Sequence, residues 1–64
     1  MTEPAFPRDI GAPATRALAA AGLREPADLT ALTEAELLAM HGVGPRAVER
    51  LRRTMAEQGL SFRQ

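Results

Sequence analysis

The chain has 64 residues, enough for one domain and near the size below which a single hydrophobic core is only marginally stable. It has no cysteine and a single histidine, His41, which excludes a disulfide framework and leaves no ligand set for a structural metal. Eight arginines balance eight acids for a formal net charge of zero, which argues against a strongly basic, non-specific nucleic-acid binder. The apolar residues are mostly Ala and Leu, with no Trp or Tyr and few β-branched side chains, so the expected fold class is all-α. No apolar run approaches the roughly 20 residues needed to span a bilayer, and the start of the chain is acidic and proline-bearing rather than leader-like. A cytoplasmic protein is expected. Every basic residue is Arg, with no Lys or Asn, a bias that fits a GC-rich bacterial genome.

Residues 1–9 carry Pro4 and Pro7, which favour extended backbone, so an N-terminal arm is expected there, tethered by Phe6. The domain proper is expected over residues 10–64. A first helix is predicted from Pro13 to Ala21, with proline in its first turn, Gly22 as its stop, and Ala14, Leu18 and Ala21 facing inward. Glu25-Pro26-Ala27-Asp28-Leu29 signals a second, short helix that ends near Leu32. Thr33-Glu34-Ala35-Glu36 matches a capping box, which starts a third helix of about Glu34 to Met40 that presents Leu37, Leu38 and Met40 to the core. A fourth and longest helix is predicted from Pro45 to Gln58, because Val48, Leu51 and Met55 recur at helical spacing and Gly59 stands just past the end. Leu60 and Phe62 fold back as a staple. Four or five short helices with brief connections make up the expected bundle.

His41-Gly42-Val43-Gly44 separates two helical segments by too few residues for an ordinary loop. Glycine there permits positive φ and close approach of backbone to backbone or ligand, and Val43 would plug the gap between the helices. Gly44 precedes a helix whose first amides lack partners, an arrangement suited to a phosphate oxygen. A bulky residue at Gly44 is expected both to strain the turn and to cover that site. The charge distribution agrees with this focus: residues 1–42 carry three Arg against six acids, a balance of −3, and residues 43–64 five Arg against two, a balance of +3.

From Leu37 to Leu51 the pattern, an apolar residue flanked by glycines and followed by Ala47, Val48 and Leu51, resembles the helix-hairpin-helix family of non-sequence-specific DNA-binding motifs. The resemblance implies phosphate contact through the backbone of Gly42, Val43 and Gly44, with Arg46 as the nearby charge and Arg50 one turn on. An internal echo, Ile10-Gly11-Ala12-Pro13-Ala14-Thr15-Arg16-Ala17-Leu18 against Val43 to Leu51, suggests a degenerate first copy and a SAM-like pair of units. That adds Gly11 and Arg16 to the candidate DNA-binding residues. From Ile10 to Phe62 the chain is also similar to the C-terminal domain of the bacterial RNA polymerase alpha subunit, a family that binds upstream promoter DNA and contacts transcription activators. The family's principal DNA-contacting arginine falls on Pro13 and a polar residue one turn later on Arg16, so the fold transfers more fully than the DNA site. Too short for a polymerase subunit, the chain is expected to be a free-standing relative or an excised domain.

No catalytic site is expected. Ser61 has no evident base, Glu34 and Glu36 are explained by capping, and so small a helical domain has little room for a substrate pocket. No small-molecule substrate and no cofactor follow. The leading expectation is weak, salt-sensitive binding to DNA backbone in a transcription-related setting; the alternative is a protein-interaction module of similar fold. The feature that separates them is whether Arg16, Arg46, Arg50 and the two glycine turns share one surface, or whether acidic side chains interrupt it.

Overall fold

The computed structural model describes residues 5–64. Regular structure in that span is helical, with no strand among the described residues. A 3-10 turn η1 (Arg8–Ile10) leads into helix α1 (Ala12–Ala20), a 3-10 segment η2 (Pro26–Ala31), helix α2 (Glu34–Leu38) and helix α3 (Pro45–Glu57). The Cα radius of gyration is 10.5 Å, close to the value of about 10.7 Å for a compact chain of this length. No helix among the described residues is long and apolar enough to cross a membrane.

The arm expected at residues 1–9 lies partly outside the described residues. Within them, Phe6 is buried, and Arg8 and Asp9 belong to η1 instead of extended chain. The Gly11 N–H closes that turn on the Arg8 carbonyl (3.2 Å), and Ile10 carries it into the core.

Both long helices stop on a glycine in the left-handed region. At the end of α1, Leu23 N–H donates to the Leu18 carbonyl (2.9 Å) and Gly22 N–H to that of Ala19 (3.0 Å). At the end of α3, Leu60 N–H donates to Met55 (2.8 Å) and Gly59 N–H to Ala56 (3.1 Å). Each is the paired-bond Schellman arrangement, with an apolar residue after the glycine set against the apolar residue three positions before the cap. Gly22 has φ +79° and Gly59 φ +72°, values that glycine adopts without steric penalty. Ala21, expected to face inward, is exposed, because it lies past the last helical turn.

The segment expected as a short helix up to Leu32 is the 3-10 piece η2. The Asp28 carboxylate accepts from the N–H groups of Arg24 (2.8 Å) and Glu25 (3.2 Å), and the Thr30 hydroxyl donates back to the Ala27 carbonyl (2.8 Å). Such local side-chain bonds compete with a longer α-helical ladder. The capping box of α2 forms as its sequence requires: Thr33 Oγ1 accepts from Glu36 N–H (3.0 Å), and Glu36 Oε1 accepts from Thr33 N–H (2.8 Å). Helix α2 then ends at Leu38, two residues earlier than expected, as Met40 N–H donates to the Leu37 carbonyl in a tightened last turn. A helix of barely more than one turn buries a single position, Leu37, and Leu38 is left 46 % exposed instead of packed inward.

Helix α3 supplies the spine of the core. Ala47, Val48, Leu51 and Met55 are buried on one face, against Ile10, Ala14 and Leu18 from the first part of the chain and Leu29 and Leu37 from the middle. Leu60 and Phe62 pack onto this cluster as a partly buried staple. Arg63 fastens it: its N–H donates to the Leu32 carbonyl (2.8 Å), Nε to the Ala31 carbonyl (3.1 Å) and Nη2 to Glu36 Oε1 (2.9 Å).

Leu51 is fully buried, so Leu51→Ala is expected to cost about 2–5 kcal/mol, the usual range for emptying such a core site. A chemical-denaturation curve identical to wild type would show that the inward face of α3 has been misassigned. Glu36 gives a second expectation. The Thr33 N–H, and with it the Arg63 guanidinium, hold its carboxyl below the ordinary value. A depressed folded value means that stability is fully present above the unfolded-chain value and is lost as pH falls through the folded one. Glu36→Gln should therefore flatten the acid limb of a stability-against-pH profile, and an unaltered limb would remove Glu36 from the acid response.

Candidate functional site

Met40 to Val43 form a tight turn closed by Val43 N–H donating to the Met40 carbonyl (3.1 Å). Gly42 is its third residue, with φ +93°, and His41 before it has no positive φ, the signature of a type II turn. A Cβ on Gly42 would stand 2.9 Å from the Pro13 carbonyl oxygen and 3.2 Å from its carbon. The apex of the hairpin thus rests on the first turn of α1, backbone against backbone. Val43 is buried in the core cluster.

Gly44 differs from the expectation. It has φ −104° and ψ 176°, extended backbone that any residue adopts, and a Cβ there would meet nothing within 4 Å. The turn is strained by a side chain at Gly42, not at Gly44. Gly44 serves as the N-cap of α3, with its carbonyl accepting the Val48 N–H (3.1 Å) and no side chain capping the amides that follow. Gly11 stands in the same relation to α1: its carbonyl accepts the Thr15 N–H (3.1 Å) and hydroxyl (2.9 Å), and again no side chain caps the helix start. Neither first turn contains an acidic residue.

The two segments of the internal echo correspond in packing. Ile10 and Val43, Ala14 and Ala47, and Leu18 and Leu51 are buried pair by pair at one constant spacing. The correspondence fails at two points: Gly11 has φ +92°, against −104° at Gly44, and Thr15 is exposed where Val48 is buried.

Arg46 lies exposed in the first turn of α3 and has no carboxylate partner among the described residues. Arg50, one turn on, is engaged: its Nε donates to Asp9 Oδ2 at 2.8 Å. Arg53 faces Glu49 at a longer 3.9 Å. Arg46, Glu49, Arg50 and Arg53 line one shallow depression of about 190 Å³. Acidic side chains therefore do enter the arginine stripe, Glu49 from within α3 and Asp9 from η1. Arg16 is exposed on α1 and does not line that depression. The candidate residues separate into the hairpin group Gly42, Val43 and Gly44, set against Pro13 after Gly11, with Arg46 and Arg50 sharing one depression on α3, and a single outlier, Arg16. Asp9 and Pro13 are the residues that the sequence alone did not bring to the site.

Comparison with family profiles, curated proteins and solved structures finds no significant match, so geometry and chemistry alone carry the functional argument.

A stability comparison of the two hairpin glycines follows from their surroundings. Gly42→Ala combines a disfavoured φ with a clash against Pro13 backbone and is expected to destabilise by on the order of 1–3 kcal/mol. Gly44→Ser has open space, extended backbone and a hydroxyl able to cap α3, and should match or exceed wild-type stability. Thermal melts in the reverse order would contradict the turn geometry.

Proposed function

We propose that the chain is a helix-hairpin-helix domain, a degenerate pair of such units, that binds the phosphate backbone of DNA weakly and without sequence preference. The observation that carries this reading is the pairing of two uncapped helix starts. Helices α1 and α3 each begin with a glycine N-cap, a proline in the first turn, no acidic residue and no side-chain cap, and the Gly42–Pro13 contact sets the hairpin that feeds α3 on the first turn of α1. Amides at a helix start, with the dipole behind them, favour an anionic oxygen. Arg46 stands in the first turn of α3 as a cation with no carboxylate within ion-pair distance among the described residues.

A second reading, a protein-interaction module of the same fold, draws on a different observation. Asp9 holds Arg50 and Glu49 sits within the stripe, and a surface interrupted by acids repels phosphate while it suits a partner of mixed charge.

Amide-shift mapping with a short duplex at low salt tests location. Two to four phosphate contacts would give a slope of log affinity against log salt of roughly −2 to −4. Arg46→Ala is expected to weaken binding and to reduce that slope by about 1, with stability held within about 0.5 kcal/mol. Gly44→Asp separates fold from function, since its carboxylate caps α3 and repels phosphate: the melt should hold or improve while duplex binding disappears. If wild type binds DNA and both variants bind equally well, the hairpin is not the contact. If wild type binds no duplex at low salt, the interaction-module reading replaces this one.

A further inference from the structure

A groove of about 480 Å³ runs beside α1, away from the arginine stripe of α3. Phe6, Ala19 and Leu23 give it an apolar floor, with Thr15 on its α1 side, and Arg8 and Arg24 line it as well. Among the described residues no carboxylate lines it, and neither Arg8 nor Arg24 has an ion pair. Half of the chain's arginines behave otherwise: Arg50, Arg52, Arg53 and Arg63 each face a carboxylate within 4.0 Å. Arg8 and Asp9 are neighbours in η1 yet serve different surfaces: Asp9 turns to Arg50 on α3, while Arg8 turns to this groove.

We infer that the groove is a docking site for an acidic peptide segment of a partner protein, one that places one or two apolar side chains on the floor between carboxylates that pair with Arg8 and Arg24. Charge complementarity selects the sign of the partner, because two cations border an apolar surface to which no described residue adds an anion. The apolar floor selects the class. A duplex backbone offers phosphate but no protruding apolar side chain, and the tail of a fatty-acid anion needs an enclosed sheath, whereas a peptide can cross an open groove and bury alternate side chains. The volume falls within the range of about 300–1,000 Å³ typical of ligand sites. The inference is independent of DNA binding, since it uses none of Gly42, Gly44 or Arg46, and either can fail without the other.

The test is a titration of the ¹⁵N-labelled full chain with an acetylated, amidated hexapeptide Asp-Asp-Leu-Phe-Glu-Glu. Amide shifts are expected at Thr15, Ala19, Leu23 and Arg24. Replacing the acids of the peptide with Lys, or its Leu and Phe with Ser, should abolish them. The double variant Arg8→Glu, Arg24→Glu changes two exposed side chains and should lower affinity by about tenfold or more with an unchanged melt; should it prove unstable, Arg24→Ala alone should still lower affinity severalfold. No shift up to millimolar peptide, equal binding of the Lys peptide, or shifts centred on Arg46 would overturn the proposal. So would shifts of the groove amides on addition of a short duplex, which would make the groove a nucleic-acid contact.

Discussion

The approach of Gly42 to the backbone of Pro13 is the constraint on which the arrangement turns. A side chain at Gly42 would sit 2.9 Å from a carbonyl oxygen, a separation real Cβ atoms do not hold, so only the absence of one lets the hairpin close on α1. That closure accompanies the burial of Val43 and of Ala47, Val48, Leu51 and Met55, and α3 packs chiefly on η1, η2 and α2. With no disulfide available, such non-local packing must hold a domain whose size alone gives it little reserve. The Arg50–Asp9 pair and the Arg63 bonds add further ties between distant segments. All are exposed enough that solvent screening leaves them secondary to the buried apolar contacts.

The acids and arginines of this neutral chain divide by task. Glu36 and Asp28 are used on backbone amides at the starts of α2 and η2. Glu34, Glu36, Glu49 and Asp9 face arginines from four different positions in the fold. Zero net charge thus conceals an uneven surface in which some arginines are compensated and Arg8, Arg16, Arg24 and Arg46 are not, among the described residues. It is the local field at a groove or a helix start, screened within about 8–10 Å at ordinary salt, that decides what binds there.

What could be read from the sequence was local in origin. The Thr33–Glu36 capping box, the glycine stops at Gly22 and Gly59, and the long amphipathic α3 each depend on residues within one or two turns of one another, so spacing and residue type suffice. Leu38 was misjudged because periodicity assumes a helix long enough to show a face, and α2 has five residues. Gly42 and Gly44 could not be ranked, since both fit a tight turn and the neighbour that distinguishes them, Pro13, is 29 positions away. Asp9 as the partner of Arg50 had no sequence signal at all, being 41 residues distant. The candidate site was therefore legible as a place, the hairpin and the start of α3, while its electrostatic character was not.

The unequal treatment of helix starts is the most informative physical pattern in the molecule. A capping side chain contributes about 0.5–2 kcal/mol against alanine and a few tenths of a kcal/mol against glycine, and the chain uses acids to take up amides at α2 and η2. At α1 and α3 it places glycine instead. Steric demand explains Gly11, whose φ of +92° requires glycine. It does not explain Gly44, where the backbone is extended, the space is open, and serine or aspartate would fit. Of the two uncapped starts, Gly44 is therefore the one whose identity backbone geometry and packing leave unexplained, and it is there that a change of cap alters the chemistry of the helix start while the fold has room to accept it.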